Sequence, residues 1–388
     1  MKKENLLTIL LTLLVVASVF VTSEFIDDSL KSSQTKGEEG QEAIRASVVR
    51  ILQAQEVNAQ NTGQEEETPW ETQFLDVKIK EGKHKDETIR AQNIIDPRLA
   101  HNISVEKGDS VLVYINEDNR GKALDASIIG HSREMYLYIL IGTFALLLIV
   151  VGALKGLKAI VTLTITIAII IKILLPLILM GYNPLWVSII SCAAIITITL
   201  IIVSGPNRKT LSAIIGTSGG VIAAGAIAMF VGTLSKLTGL GDEEAQMLVF
   251  IPQQIELDFK GLLFAAILIG TLGAVMDVGM SIASSMNEIE KAKPDITSRQ
   301  LIKSGMNIGR DIMGTMSNTL ILAYTGGSLH LMLLLMAYDI PFIEIINQDI
   351  IATEVVRAIS GSIGLVLSIP LTAVIAGTLG RQRDRHIK

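Results

Sequence analysis

The chain of 388 residues is apolar and carries a formal net charge of −5. Hydrophobic residues make up 49% of it and charged residues only 18%, whereas about a quarter of a soluble protein is charged. The mean hydropathy of +0.50 excludes an ordinary soluble protein and predicts an integral membrane protein. Cys192 is the only cysteine, which excludes an intramolecular disulfide and a cysteine-based metal site, and its apolar surroundings predict a buried, inert thiol.

Apolar stretches long enough to cross a membrane recur along the chain. A bilayer core needs about 20 mostly apolar residues in a helix, because lipid offers no partner to an unpaired backbone N–H or C=O. The predicted spans are 5–23, 135–154, 157–180, 184–204, 210–234, 261–283, 311–337 and 354–379. The first could instead be a signal peptide, but no A-x-A cleavage site follows it, so we expect an uncleaved anchor.

These spans predict three regions. Residues 1–23 form the anchor, residues 24–133 lie outside the cytoplasm, and residues 134–388 form a seven-helix membrane domain. Within that domain, residues 285–309 are predicted to be an amphipathic connector on the inner membrane surface. The predicted fold class is therefore mainly α: a membrane bundle of about eight helices with one small β-barrel-like domain.

Basic residues on short loops predict which ends of the spans face the cytoplasm. On one side of the predicted bundle lie Lys2, Lys3, Lys155, Lys158, Arg208, Lys209, the basic residues of 291–310 and those of 381–388. The loops on the other side are acidic or neutral. We therefore expect a bacterial plasma-membrane protein with both termini in the cytoplasm.

The segment outside the cytoplasm alternates apolar and polar side chains, which is typical of strands. The predicted strands are 43–53, 75–80, 87–95, 111–115 and 123–129. Five short strands predict a small barrel of the OB or SH3 kind. The Glu- and Gln-rich stretches 32–41 and 58–67 predict flexible linkers. Two roles stay open for this domain, a spacer without a ligand and a module that binds a partner protein.

Asp277 lies within a predicted span, where a carboxylate costs at least a few kcal/mol and marks a functional residue by default. Gly270 and Gly273 precede it at helical spacing and form a stripe that lets another helix approach closely. We therefore expect Asp277 to face the interior of the bundle, with Ser281 continuing the polar face. The alternative is a carboxylate that reaches the inner membrane surface, for which aspartate is short.

The next span carries a polar stripe. Arg310 lies at its cytoplasmic mouth and could supply the charge opposite to Asp277. Asp311, Thr315 and Asn318 follow on the same helix. Such a stripe is expected where helices hydrogen-bond to one another or where they line an ion path, and both interpretations stay open.

Two further features concern helix packing and an ion pair. Gly216 and Gly220 form a small-x-x-x-small ladder, which predicts a span packed in the centre of the bundle or beside a re-entrant bend. Glu354 and Arg357 are expected to pair at the start of the last span.

The sequence contains no nucleophile elbow, catalytic triad or zinc-ligand cluster, so we expect no enzyme activity, no metal and no cofactor.

Residues 270–327 resemble the YibE/F family of bacterial membrane proteins. The resemblance rests on the segments GTLGAVMDVGMSIASSMNEI and GMNIGRDIMGTMSNTLILAYTGGSL. The anchor, the outside domain and the remaining spans fit the same family, so the resemblance covers nearly the whole chain. It implies an inner-membrane multispan protein and says more about topology than about mechanism.

The same region is also similar to the transmembrane core of SecD and SecF, members of the RND superfamily. The similarity places Asp277, Arg310 and residues 315–319 in a pattern of intramembrane Asp, connector-end Arg and polar helix. It implies a cycle in which proton flow drives a conformational change. Two departures weaken the similarity: Asp311 stands where that pattern has an uncharged residue, and the outside domain is much smaller.

Two functions from different classes follow. In the first, the protein is a proton-coupled transporter or export-assisting factor, and protonation of Asp277 alters its pairing with the helix that begins at Arg310. In the second, it is a membrane scaffold or accessory subunit that binds a protein partner through its outside domain. Lipid is the expected surrounding in both, a homo-oligomer stays open, and nucleic acid is not an expected partner.

Overall fold

The computed structural model describes residues 43–57, 70–95, 102–118, 121–250 and 256–380. The predicted anchor 5–23 and the predicted linkers 32–41 and 58–67 lie outside these ranges. The chain divides into two compact units, a β unit that ends at Leu147 and a helical unit that begins at Leu148.

The β unit is a closed five-stranded barrel. Its strands are β1 (Ile44–Val57), β2 (Trp70–Ile79), β3 (Thr88–Ile95), β4 (Ser110–Glu117) and β5 (Ala123–His131). They follow one another around the barrel in the order β1-β2-β3-β5-β4, with β3 and β5 parallel and every other pair antiparallel. The five predicted strands are confirmed, and this strand order is that of the OB-fold, which decides between the two predicted barrels.

Alternation along the strands builds the barrel core. Successive strand residues point to opposite faces, so every second side chain turns inward. In β2, Leu75, Val77 and Ile79 are fully buried. Asn93 of β3 is buried among apolar residues, and its side-chain amide donates to the carbonyl of Ile103 at 2.6 Å. The polar group is therefore paired, as a buried amide must be.

The helices are α1 (Glu134–Gly152), α2 (Leu154–Leu179, with a π-helical turn at Ile170–Leu174), α3 (Pro184–Ser204), α4 (Arg208–Leu234), α5 (Glu243–Met247), α6 (Phe259–Ala292), α7 (Ser298–Gly327), α8 (Leu329–Ala337), α9 (Phe342–Asn347) and α10 (Asp349–Gly380). Six of them are each long and apolar enough to cross a membrane. The pair α7 and α8, bent by 58°, is long and apolar enough to make a seventh if the two helices form one broken span rather than a re-entrant loop. Within the described ranges, six of the seven spans predicted from residue 135 onward are therefore present as single helices, and the predicted span 311–337 falls on the bent pair.

The predicted connector 285–309 is not a separate helix. Helix α6 continues to Ala292, and α7 already begins at Ser298, so only residues 293–297 lie outside a helix. Pro294 lies in this break, where a proline cannot continue α6. Thr297 and Gln300 form a reciprocal capping box that starts α7. The amphipathic residues of the connector therefore belong to the ends of two long helices.

Helices α4, α6 and α10 pack around glycine contacts at the centre of the bundle. Gly220 of α4 lies so close to α10 that an added Cβ would stand 2.6 Å from the Cβ of Ser368 and 2.8 Å from the carbonyl oxygen of Gly364. Gly216 meets Thr372 of α10 in the same way. The thiol of Cys192 on α3 is buried, as predicted. Small residues thus bring the helix backbones into direct contact.

Candidate ion-coupling site

Asp277 lies deep in α6 but on its open face. The carboxylate of Asp258 caps the start of this helix by accepting from the N–H of Gly261 at 2.8 Å. Leu268, Val275 and Ile282 lie on the buried face of the helix. The side chain of Asp277 is exposed. The prediction that Asp277 faces the interior of the bundle is therefore wrong for the described chain.

The exposed face of α6 continues on both sides of Asp277. Among the described residues, Gly273 has no other atom within 4 Å of the place where a Cβ would stand, so no described helix packs on it. Ser281 is exposed as well, whereas Gly270 lies against the hydroxyl of Tyr324 from α7. The predicted small-residue stripe is thus occupied near its outer end and open around Asp277.

Asp277 has no hydrogen bond or ion pair with any residue in the part of the chain that the structure describes. The guanidinium of Arg310 donates instead to the side-chain oxygen of Asn307 at 3.3 Å, within its own helix. The predicted pairing of Asp277 with Arg310 is therefore not present. Helix α7 packs through Gly305 and Gly309, and Arg310 projects away from that side.

The polar stripe of α7 is exposed in the part of the chain that the structure describes. Asp311, Thr315 and Asn318 are all exposed, and the hydroxyl of Thr315 donates to the carbonyl of Ile312 in the preceding turn. Gly314, between them, has open space on its Cβ side. The stripe does not hydrogen-bond to other helices of the described chain.

A second polar group lies where α10 begins. Arg357 donates to the carboxylate of Glu354 at 2.5 Å, and about a fifth of each side chain is exposed (20% and 18%). The predicted pair is therefore present. The hydroxyl of Tyr324 is also buried. The sequence does not predict this position, because a tyrosine within a span does not show what it touches.

Buried hydroxyls also line the contact between α4, α6 and α10. Thr217 and Thr372 are fully buried, and their hydroxyls have no hydrogen-bond partner among the described residues. Both lie against Gly279 of α6. The sequence pointed to this contact only through the neighbouring glycines Gly216 and Gly220.

Among the described residues of the β unit, one buried side chain is titratable. The ring of His84, in the turn between β2 and β3, lies 3.0 Å from a carboxylate oxygen of Glu117 and 3.2 Å from one of Glu87. The hydrogen bond with Glu117 is the main cause that raises the pKa of His84, and the bond with Glu87 adds to it. Burial opposes this rise, because it disfavours the charged ring.

The fold and the site together define a multi-pass helical membrane protein that carries a small closed β-barrel. A family model described as YibE/F-like protein matches residues 140–382, and the YibE/F family N-terminal domain matches residues 43–131. The chain therefore belongs to the YibE/F family. No curated protein and no solved structure matches it. The similarity to SecD and SecF is not shown by these comparisons and stays a prediction.

Proposed function

We propose that this protein is a proton-coupled transporter or export-assisting factor in which Asp277 is the coupling carboxylate. The observation that carries the proposal is the position of Asp277, six residues inside the nearer end of the predicted span 261–283 and without a cation beside it among the described residues. An ionised carboxylate at that depth is costly, and intramembrane carboxylates of this kind mark proton relays.

The open face of α6 supplies the conformational part of the proposal. A protonated, neutral Asp277 is compatible with an apolar or closely packed neighbour over Gly273. An ionised Asp277 instead requires a polar partner, for which the exposed stripe of α7, with Arg310 and Asn318, is available one helix away. Loading and unloading a single proton would therefore favour two different packings of α6 against α7.

The orientation belongs to the same proposal: a bacterial plasma membrane, with both termini in the cytoplasm and the barrel outside. It is supported by a cavity of about 1220 Å³ at the end of the bundle where α4 and α7 begin. Its lining carries four basic residues, Arg208, Lys209, Lys291 and Arg299, against two acidic ones, Glu290 and Asp295. Basic residues collect on the cytoplasmic side of membrane proteins.

Proton flux tests the proposal directly. The purified protein is reconstituted into liposomes, and acidification of the lumen is followed after an outside pH step for the wild type, Asp277→Asn and the matched control Asp295→Asn. Asp295 is exposed in the break between α6 and α7. We expect Asp277→Asn to lose flux by about a hundredfold and Asp295→Asn to keep it. Wild-type flux in a normally folded Asp277→Asn protein would rule the mechanism out.

The alternative function is a membrane scaffold or accessory subunit. It is favoured by two uncovered surfaces, since α1 has no buried residue and the polar stripe of α7 touches no other helix of the described chain. Deletion of residues 71–131 separates the two functions. A scaffold loses all cellular function without its barrel, whereas a transporter core keeps proton flux in liposomes.

A further inference from the structure

Three helices meet at one level near the start of α10. Gly361 of α10 lies against the side chains of Thr271 from α6 and Leu320 from α7. Tyr324, one turn beyond Leu320, places its hydroxyl against Gly270, the neighbour of Thr271. Because glycines stand at both contacts, the three backbones approach one another closely here. We call this place the outer junction.

The ion pair of α10 lies beside the outer junction. Arg357 precedes Gly361 by one helical turn, and its guanidinium binds the carboxylate of Glu354. Both side chains are only about one-fifth exposed, at 20% and 18%. Among the described residues, Arg357 and Asp242, in the loop before α5, are the other charged groups that act on Glu354, and Arg357 and Glu354 act on the Tyr324 phenol. The α6 residues at this level, Gly270 and Thr271, carry no charge.

Two buried polar atoms at or beside the outer junction have no hydrogen-bond partner among the described residues. They are the hydroxyl of Tyr324 and Nε of Arg357. Thr353, one turn before Arg357 on α10, is 3% exposed, and its hydroxyl has no partner there either. Buried polar atoms in folded proteins nearly always have a partner. A donor beside a hydroxyl fits a small polar ligand that both donates and accepts, and water is the smallest such ligand.

We infer that Glu354 is the outer proton-binding carboxylate of a path that leads through the outer junction to Asp277. The inference rests on the proposed function. The Glu354 carboxylate takes a proton from hydronium, which becomes water, and is ionised again when it passes the proton on. Arg357 stays charged throughout and holds the carboxylate in place. Tyr324 accepts a proton on its oxygen as it donates its own, so it is unchanged after each transfer.

Helix geometry directs this path toward Asp277. Gly270, where the Tyr324 hydroxyl lies, and Asp277 are seven residues apart on one helix, so they share a face and stand about 10 Å apart along the axis. The face between them carries Gly273, which has open space on its Cβ side. A few bridging waters span such a distance, and because lipid supplies no water, the path requires another molecule or the undescribed part of the chain to cover this face.

Two substitutions test the inference in reconstituted full-length protein. Glu354→Gln removes the proton-binding group but keeps an acceptor for Arg357, and Tyr324→Phe removes only the hydroxyl while its ring still packs on Gly270. Glu344→Gln is the matched control, because Glu344 is exposed on α9. Proton flux is measured as the outside pH is varied at constant inside pH, and the melting temperature of each variant is measured alongside.

We expect Glu354→Gln to lose flux by about a hundredfold and Tyr324→Phe by about tenfold, with the remaining flux no longer following outside pH. Wild-type flux and pH profile in both variants would overturn the inference and leave the proposed function standing. Loss of flux in Glu354→Gln alone, accompanied by a lower melting temperature, would assign a structural role to the pair and likewise overturn it. Absence of flux in the wild type would overturn both.

Discussion

His84 links the turn between β2 and β3 to the end of β4 through hydrogen bonds with Glu87 and Glu117. Its pKa is raised above the ordinary value near 6.5, so the folded barrel binds the proton more tightly than the unfolded chain does. The stabilisation is therefore complete below the unfolded pKa of about 6.5 and is lost as the pH rises through the higher folded pKa. The barrel is predicted to be more stable on the acidic side.

Glu117→Gln should weaken the barrel mainly at acidic pH. The variant removes the larger cause of the raised pKa of His84, so its stability should fall below that of the wild type at about pH 5.5 and approach it at about pH 9. Amide hydrogen exchange of the β3 and β4 peptides in the full-length protein measures this. Glu106→Gln, on an exposed turn, is the control. Equal destabilisation at both pH values would contradict the assigned role of His84.

At single positions, the sequence predicts depth in the membrane better than direction around a helix. Asp277 was placed within a span because its neighbours are apolar, and the structure agrees. Its direction was inferred from Gly270 and Gly273, yet only Gly270 meets another helix in the described chain. A stripe of small residues shows that close approach is possible, but it does not show which helix approaches.

At the scale of elements, glycine spacing likewise does not distinguish a packed helix face from an open one, as α4 and α6 show. The glycines of α4 and α6 both recur at helical spacing, four residues apart in α4 and three in α6, but Gly220 lies against α10 while Gly273 faces open space among the described residues. The ends of α6 and α7 were predicted as one surface connector, because basic residues interrupt the apolar pattern there. The capping box at Thr297 was the local signal that α7 begins before the membrane core does.

Gly220→Ala and Gly273→Ala should therefore have opposite effects on stability. The added methyl at Gly220 meets Ser368, Val275 and the α10 backbone, so we expect a loss of about 1–3 kcal/mol. The methyl at Gly273 meets nothing, and alanine favours a helix over glycine by about 1 kcal/mol, so the variant should be unchanged or slightly more stable. Thermal unfolding in detergent measures both. Destabilisation by Gly273→Ala would indicate that another molecule covers this face.

At the scale of the whole molecule, the apolar pattern predicted the number and order of spans in the described chain, and alternation predicted the barrel. Each follows from a period that a single sequence displays, 3.6 residues for a helix and two for a strand. The pairing of α4 with α10 depends on contacts between residues far apart in sequence, such as Gly220 with Gly364, for which a single sequence gives no signal.

The number of spanning helices between two loops predicts whether the loops lie on the same side of the membrane, and cysteine labelling can check this. Cys192 is buried, so Cys192→Ser should give a folded background in which single cysteines are introduced as Glu106→Cys, Tyr182→Cys or Lys293→Cys. Helices α1 and α2 separate position 106 from position 182, so both should lie on one side of the membrane. Three spanning helices, α3, α4 and α6, separate position 182 from position 293, which should lie on the other side.

A membrane-impermeant maleimide applied to intact cells labels only cysteines outside the cell, so it shows which loops share a side and which side that is. We expect labelling at 106 and 182 but not at 293, which should react only after the membrane is permeabilised. The reverse pattern would keep the spans and invert the protein, placing the basic cavity lined by Arg208 and Arg299 outside the cell, against the charge asymmetry that orients membrane proteins. Labelling at 106 without 182 would mean that α1 or α2 does not cross. No residue of α1 is buried in the described chain. If α1 did not cross the membrane, its apolar side chains would be exposed to water instead of lipid.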